Sequence, residues 1–351
     1  MDMTFFIFLS SGLFLGWSLG ANDASNVFGT AVGTKMVSFK TAAVIASLFI
    51  AVGAVYAGAG ASETLGELGS INTLPGAFMA AFAAAISLYW MARDGLPVST
   101  SQAIVGAIIG WNVFADKPTH PEILSKIVST WILCPLLSGI IAVILYFLIR
   151  MLIRRSHLHI LRQDSYTRFG LIVAGAFGAY ALGANNIANV MGVFVPSSPF
   201  TNLDLGYGLV LTGTQQLFLL GALAICVGVF TYSHHVINTV GNNLMRMSPL
   251  VAFVVVLSQS IVLFLFASKS LEHFLLSHNL PALPLVPVSS TQAVIGAVMG
   301  IGLAKGGREL NWNILGHVAL GWIVTPIAAA LVCYISLFFL QNVFGQIVFL
   351  P

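Results

Sequence analysis

Charged side chains are scarce in this sequence: 7% of its 351 residues, 14 of them basic and 11 acidic. Soluble domains carry roughly a quarter, so a water-facing surface of ordinary composition is excluded. Cysteine is scarcer still. Cys134, Cys226 and Cys333 all lie in apolar runs without metal-ligand spacing, and read as small packing residues. No GxSxG, HExxH, P-loop or cysteine-pair motif occurs. ATP hydrolysis and metal-dependent chemistry therefore have no site, no cofactor is implied, and an enzyme is not expected. The first apolar run lacks a basic leader and an Ala-x-Ala cleavage site, so it reads as a retained helix.

What the chain has is apolar surface: 58% hydrophobic residues, 34 glycines and a mean hydropathy of +0.96. This is the composition of an all-α polytopic membrane protein. A crossing needs about 20 apolar residues. Such runs recur near 3–20, 41–59, 75–91, 123–149, 169–183, 209–232, 250–267 and 313–340, with shorter pieces at 103–114 and 293–303. The net charge of +3 reflects a basic segment, Arg150, Arg154, Arg155, Arg162 and Arg168, which the positive-inside rule makes cytoplasmic. A nucleic-acid partner has no support. Glu63 and Glu67, away from any Lys or Arg, fit the outside, so the N-terminus is predicted outside. The helical class points to the cytoplasmic membrane of a bacterium, outer-membrane proteins being strand barrels.

The sequence repeats itself. Leu19 to Gly29, LGANDASNVFG, aligns without gaps on Leu182 to Gly192, LGANNIANVMG. Pro97 to Gly110 aligns on Pro287 to Gly300, and Trp131-Ile132-Leu133-Cys134-Pro135 on Trp322-Ile323-Val324-Thr325-Pro326. The division is a first repeat over 1–150, a connector over 151–168 and a second repeat over 169–351. If each half crosses an odd number of times, the second is inverted relative to the first, as in many secondary transporters.

The repeated PVS motif is a chain break followed by a helix start. Proline sets φ near −65°, suits a first helical turn and pushes its predecessor out of helical geometry. A fresh helix N-terminus offers unpaired N–H groups and the positive end of the macrodipole, an anion site without a cationic side chain. Ser99, Thr100, Ser101 and Gln102 add neutral donors, and Ser289, Ser290, Thr291 and Gln292 are the matching set. Two inverted half-helices aimed at one point would cradle a small oxyanion. In the GAN motifs, Asp23 is the lone carboxylate of its apolar run and must find a cation or proton. Asn22, Asn26, Asn185, Asn186 and Asn189 offer carbonyl oxygens suited to Na⁺, centred on Asp23, Asn22 and Asn185, or amide N–H groups for the anion. The flanking glycines predict that both helices unwind there. Gln215 and Gln216 read as interhelical bonders, His317 as a packing residue, and His234, His235 and Arg246 as a solvated loop.

These paired motifs resemble the inorganic phosphate transporter family, PiT, over almost the whole chain. The resemblance implies an inverted-repeat fold with two re-entrant hairpins, often a homodimer in the bilayer, and Na⁺- or H⁺-driven uptake of inorganic phosphate. By position, it implies that Ser99, Thr100, Ser101, Ser289, Ser290 and Thr291 contact the anion with Gln102 and Gln292 beside them. Asp23, Asn22, Asn26, Asn185 and Asn189 would hold cations. Many members have a second aspartate where this chain has Asn186, and histidine where it has Gln102 and Gln292. Because hydrogen phosphate needs an acceptor for its proton and sulfate does not, sulfate permease is the alternative, with an anion channel behind it. The second half also carries an insertion over 268–285, expected in a wet vestibule.

Overall fold

A computed structural model describes residues 3–93, 98–156, 159–204, 206, 210–234, 247–308 and 310–350. Its first half holds α1 (Met3–Gly33), α2 (Phe39–Ala57), α3 (Ala59–Leu68), α4 (Leu74–Arg93), α5 (Thr100–Phe114) and α6 (Pro121–Ser156). The second holds α7 (Ile160–Met191), α8 (Gly213–Thr231), α9 (Pro249–Leu265), α10 (Lys269–Ser277), α11 (Ser290–Ala304) and α12 (Trp312–Asn342). Seven helices are long and apolar enough to cross a bilayer, and α9 with α10, bent by 68°, makes up to eight. Helices suit these runs because a backbone in hydrocarbon must satisfy its own hydrogen bonds. Residues facing outward are themselves apolar: Ile132, Leu136, Ile140 and Ile144 form a stripe down α6, and Ile323, Ile327 and Leu331 another down α12.

The two GAN motifs do not unwind. α1 runs unbroken through Gly20-Ala21-Asn22-Asp23 to Gly33, and α7 through Gly183-Ala184-Asn185-Asn186 to Met191. The glycines serve close packing instead. A Cβ on Gly20 would overlap the Ile225 carbonyl of α8, and one on Gly183 the Ile50 carbonyl of α2. Each motif helix thus lies on the second helix of the other half.

The inversion can be read from neighbours. A Cβ on Gly16 would lie 3.1 Å from Val190, and one on Gly178 3.1 Å from Val27, so numbering rises along α1 as it falls along α7. Within each half the matching helices run parallel. Phe8 of α1 meets Phe78 of α4 at 5.8 Å between ring centroids, and Trp17 shares a cleft with Tyr89. In the second half a Cβ on Gly170 of α7 would lie 3.0 Å from Phe253 of α9, and Phe177 meets Phe264 at 5.4 Å. The halves are inverted copies. Their third shared motif is a docking point: Gly106 of α5 packs on the Pro326 carbonyl of α12, and Gly296 of α11 on the Pro135 carbonyl of α6.

α4 and α5 form a hairpin, with Gly76 at the start of α4 beside Trp111 at the end of α5; it is re-entrant because its tip at Val98 is bonded by Asn22, well inside the length of α1. Pro97 lies outside the described residues, and the hairpin tip is seen from Val98 onward. In the second half the return from α9 to α11 is made by the insertion. α10 has no buried residue, and the insertion is tied to α3 by a Lys269–Glu63 ion pair of 2.6 Å and by Thr64 Oγ1 donating to the Leu285 carbonyl at 2.6 Å. The basic segment expected as a connector is helical on both sides of 157–158. Gln215 and Gln216 bond locally, the first in a capping box with Thr212 and the second to the Thr201 and Leu211 carbonyls, not across helices. His317 is exposed, not packed. His234 meets Phe39 edge-on at 5.0 Å, while His235 and Arg246 lie outside the described residues.

Candidate functional site

Both PVS segments start helices as the motif requires. Ser99 has extended backbone and its hydroxyl accepts from Gln102 N at 3.3 Å; Ser289 does the same for Gln292 N at 3.2 Å. The next hydroxyls reach across the pseudo-twofold. Ser101 Oγ donates to the Val288 carbonyl at 3.1 Å, and Thr291 Oγ1 to the Val98 carbonyl at 3.2 Å. Each tip is therefore held by a side chain of the other half, and the two helix N-termini face one another.

The asparagines of α1 and α7 surround this meeting. Asn22 Nδ2 donates to Val98 O at 3.2 Å and to Asp23 Oδ1 at 3.1 Å. Asn185 braces the second tip with both atoms of its amide, Nδ2 donating to Val286 O at 3.1 Å and Oδ1 accepting from Val288 N at 2.8 Å. Asn26 Nδ2 donates to Ser290 Oγ and Thr291 Oγ1, both at 3.0 Å, and Asn189 Nδ2 to Ser101 Oγ at 2.9 Å. Asn186 Oδ1 accepts from Asn189 Nδ2 at 2.8 Å. Thr100 Oγ1 donates to Asp23 Oδ2 at 3.2 Å. All fourteen residues singled out in the sequence converge here, and none is more than 8% exposed.

The chamber is rich in unfinished hydrogen bonds. Among the described residues Gln102 Oε1, Gln292 Oε1, Asn189 Oδ1 and Asn186 Nδ2 are buried with no partner. Leaving such groups bare costs about 1–3 kcal/mol each, so a chamber built this way is suited to polar guests. Asp23 is the only buried charged side chain among the described residues, and it makes no ion pair within them. A carboxylate so placed requires a cation or a proton.

Three residues near the site were not among its candidates in the sequence, Cys134 having been read only as a packing residue. Gln259 of α9 donates through Nε2 to the Asn26 carbonyl, and its own Oε1 has no partner among the described residues. Ser138 Oγ donates to Ala293 O at 2.6 Å, and Cys134 Sγ approaches Ser289 O at 3.7 Å. The Ser258-Gln259-Ser260 cluster inside an apolar run was a readable signal; a single Ser or Cys in a long helix was not. Cys134 and Cys333 are buried and free, and Cys226 is half-buried.

Comparison with known proteins gives one consistent picture. A family model described as the phosphate transporter family matches residues 19–333. A candidate phosphate permease of Methanocaldococcus jannaschii is 26% identical over 92% of this chain and 93% of its own length. Candidate phosphate permeases of Thermococcus kodakarensis and Haemophilus influenzae are each 25% identical, with 95% of this chain and 96% of the relative covered. Among solved structures, one described as the sodium-dependent phosphate transporter superposes with a TM-score of 0.75, covering 97% of this chain and 99% of that one at 21% identity. That likeness establishes the fold.

Proposed function

This chain belongs to the phosphate transporter family, and from that membership and the geometry of its site we propose that it is a secondary active symporter, taking up inorganic phosphate across the cytoplasmic membrane with Na⁺. The carrying observation is the meeting of two oppositely oriented hairpin tips, each bonded by the other half's hydroxyl at Val98 or Val288. In this reading the helix N-termini with Ser99, Thr100, Ser101, Gln102, Ser289, Ser290, Thr291 and Gln292 hold the oxyanion. Asp23 holds the cation, with side-chain oxygens of Asn22, Asn26, Asn186 and Asn189 around it, while Asn185, bonded through both amide atoms to the 286–288 tip, positions the second hairpin.

The chemistry couples the two guests. A phosphate anion and the Asp23 carboxylate in one buried chamber repel by a few kcal/mol at contact distances. A cation at Asp23 removes that repulsion and replaces it with attraction. Anion affinity therefore rises when the cation is bound, and by linkage the cation binds better with the anion present. Unpartnered acceptors at Gln102, Gln292 and Asn189 favour hydrogen phosphate, whose P–OH needs an acceptor, over sulfate, which has no proton to give. The matched relatives are described as candidate phosphate permeases and a solved structure of the same fold as a sodium-dependent phosphate transporter. That description supports Na⁺ over H⁺.

The test is labelled phosphate uptake into proteoliposomes. An inward Na⁺ gradient should drive uphill accumulation, an H⁺ gradient alone should not, and tenfold sulfate should compete poorly. Asp23→Asn should lose the Na⁺ dependence. Uphill uptake by Asp23→Asn with the same Na⁺ requirement, or accumulation of sulfate in place of phosphate, would overturn the reading.

A further inference from the structure

The fourteen polar residues are buried, yet two clefts approach them, and the clefts are related by the internal repeat. The first is lined by Trp17, Ser18 and Asn22 of α1, by Arg93 at the end of α4, and by Tyr232 just past α8. The second is lined by Tyr180 and Ala184 of α7, by Tyr56 near the end of α2, and by Lys269 just past α9. The alignment that sets Leu19 on Leu182 also sets Trp17 on Tyr180 and Ala21 on Ala184. Ala21 and Ala184 line the corresponding walls. Each cleft thus has an aromatic from the motif helix, a tyrosine from the far end of α8 or α2, and one cation from the end of α4 or α9.

The clefts open at opposite ends of the molecule. α2 starts beside the end of α8, where Phe39 meets His234, and it finishes beside the start of α8, where Gly58 lies against Phe218. The two helices are antiparallel. A cleft at the end of α8 and a cleft at the end of α2 therefore face opposite sides. Each leads to the chamber wall: Asn22 itself lines the first, and Ala184, next to Asn185, lines the second.

We propose that these clefts are the two vestibules through which the phosphate oxyanion reaches the central chamber, and that Arg93 and Lys269 are the cations that receive it on their respective faces. The inference rests on the phosphate reading only for the identity of the guest. Lys269 is ion-paired with Glu63 at 2.6 Å, and both side chains are largely exposed at 46% and 67%. An incoming anion therefore competes with Glu63 for the ammonium. Arg93 makes no ion pair among the described residues. Charges at the rim of a site act on capture and its salt dependence more than on later steps.

Phosphate transport is measured separately from each face, in right-side-out and inverted vesicles at low salt. Arg93→Gln should raise KM about fivefold from one face only and Lys269→Gln from the other only, with kcat within about twofold and the difference shrinking at high salt. Arg93→Lys and Lys269→Arg should restore the parent KM. Glu63→Gln should lower KM on the Lys269 face; if the ion pair were only a structural tie, Glu63→Gln and Lys269→Gln would shift KM in the same direction, and the proposal fails. A second readout needs no transport. Tyr89→Cys and Tyr56→Cys, at exposed positions of the two cleft walls and against the labelling of the three native cysteines measured alone, should react with a membrane-impermeant thiol reagent from opposite faces. Reaction of both from one face, or of neither, overturns the vestibules even if phosphate uptake stands. Opposite-face labelling without any phosphate transport keeps the clefts and removes the guest.

Discussion

Gln102 and Gln292 sit at matching places in the first turns of α5 and α11, and both side-chain oxygens are buried without a partner. Their backbone N–H groups are already taken by the caps at Ser99 and Ser289, so the side chains are free to serve a guest. If their oxygens accept the proton of hydrogen phosphate, replacing both by leucine removes the acceptors while keeping the volume. Gln102→Leu with Gln292→Leu should cost phosphate about tenfold in affinity, the equivalent of one hydrogen bond to a charged group, and should cost sulfate, which loses only the amide donors, distinctly less. Competition of each anion against labelled phosphate, or calorimetric titration, reads this. Equal loss for both anions would assign the glutamines a structural role. Asn185 makes the contrast: both its polar atoms are spent on the backbone of the 286–288 tip.

Among helices, what holds the hairpins in place is the absence of side chains. Gly106 lets α5 approach the Pro326-bearing α12, and Gly296 lets α11 approach the Pro135-bearing α6, until backbone touches backbone. A proline in a helix lacks an N–H and breaks the ladder locally, and in membranes such close contacts between small residues carry association that lipid does not drive. Gly106→Val and Gly296→Val should therefore each displace a hairpin arm, and the expected outcome is loss of most monodisperse protein on size-exclusion chromatography. Gly33→Ala, where a Cβ meets nothing within 4 Å, should behave as the parent. A folded, active Gly106→Val would show that α5 is not seated as described. The continuity of α1 and α7 belongs here as well. Sequence logic expected the glycines of GAN to loosen each helix, but the same glycines sit where Ile225 and Ile50 carbonyls press in. The backbone stays helical, so ion ligands must come from side chains.

For the molecule as a whole, the inverted halves are joined by the very groups that would bind the guests. Cross-half bonds run from Ser101 to Val288, from Thr291 to Val98, and from Asn26 to Ser290. Around them lie buried groups lacking partners. Guests that complete these bonds should stabilise the closed form by mass action, about 2.7 kcal/mol at one hundred times Kd. Melting followed in detergent should show a higher Tm with Na⁺ and phosphate together than with either alone. K⁺ in place of Na⁺ should abolish the joint shift. An additive response, with no dependence of one guest on the other, would deny the coupling assigned to Asp23.

Much was legible before the fold was seen because its signals are local. Apolar run length set the candidate crossings, a proline followed by hydroxyls set the helix starts, and a gapless internal repeat required two equivalent halves. All fourteen candidate site residues came from those signals, since a polar residue in hydrocarbon is conspicuous by its cost. Contacts between segments distant in the chain were not legible. That Ser101 bonds Val288, that Gln259 supports Asn26, and that α5 docks on α12 are matters of which surfaces meet. Nor could run length say that the α4–α5 pair turns back instead of crossing, because an apolar helix reads the same in either case. Packing decides it: the tip at Val98 stops against Asn22, well inside the length of α1, a long-range contact that no local pattern encodes.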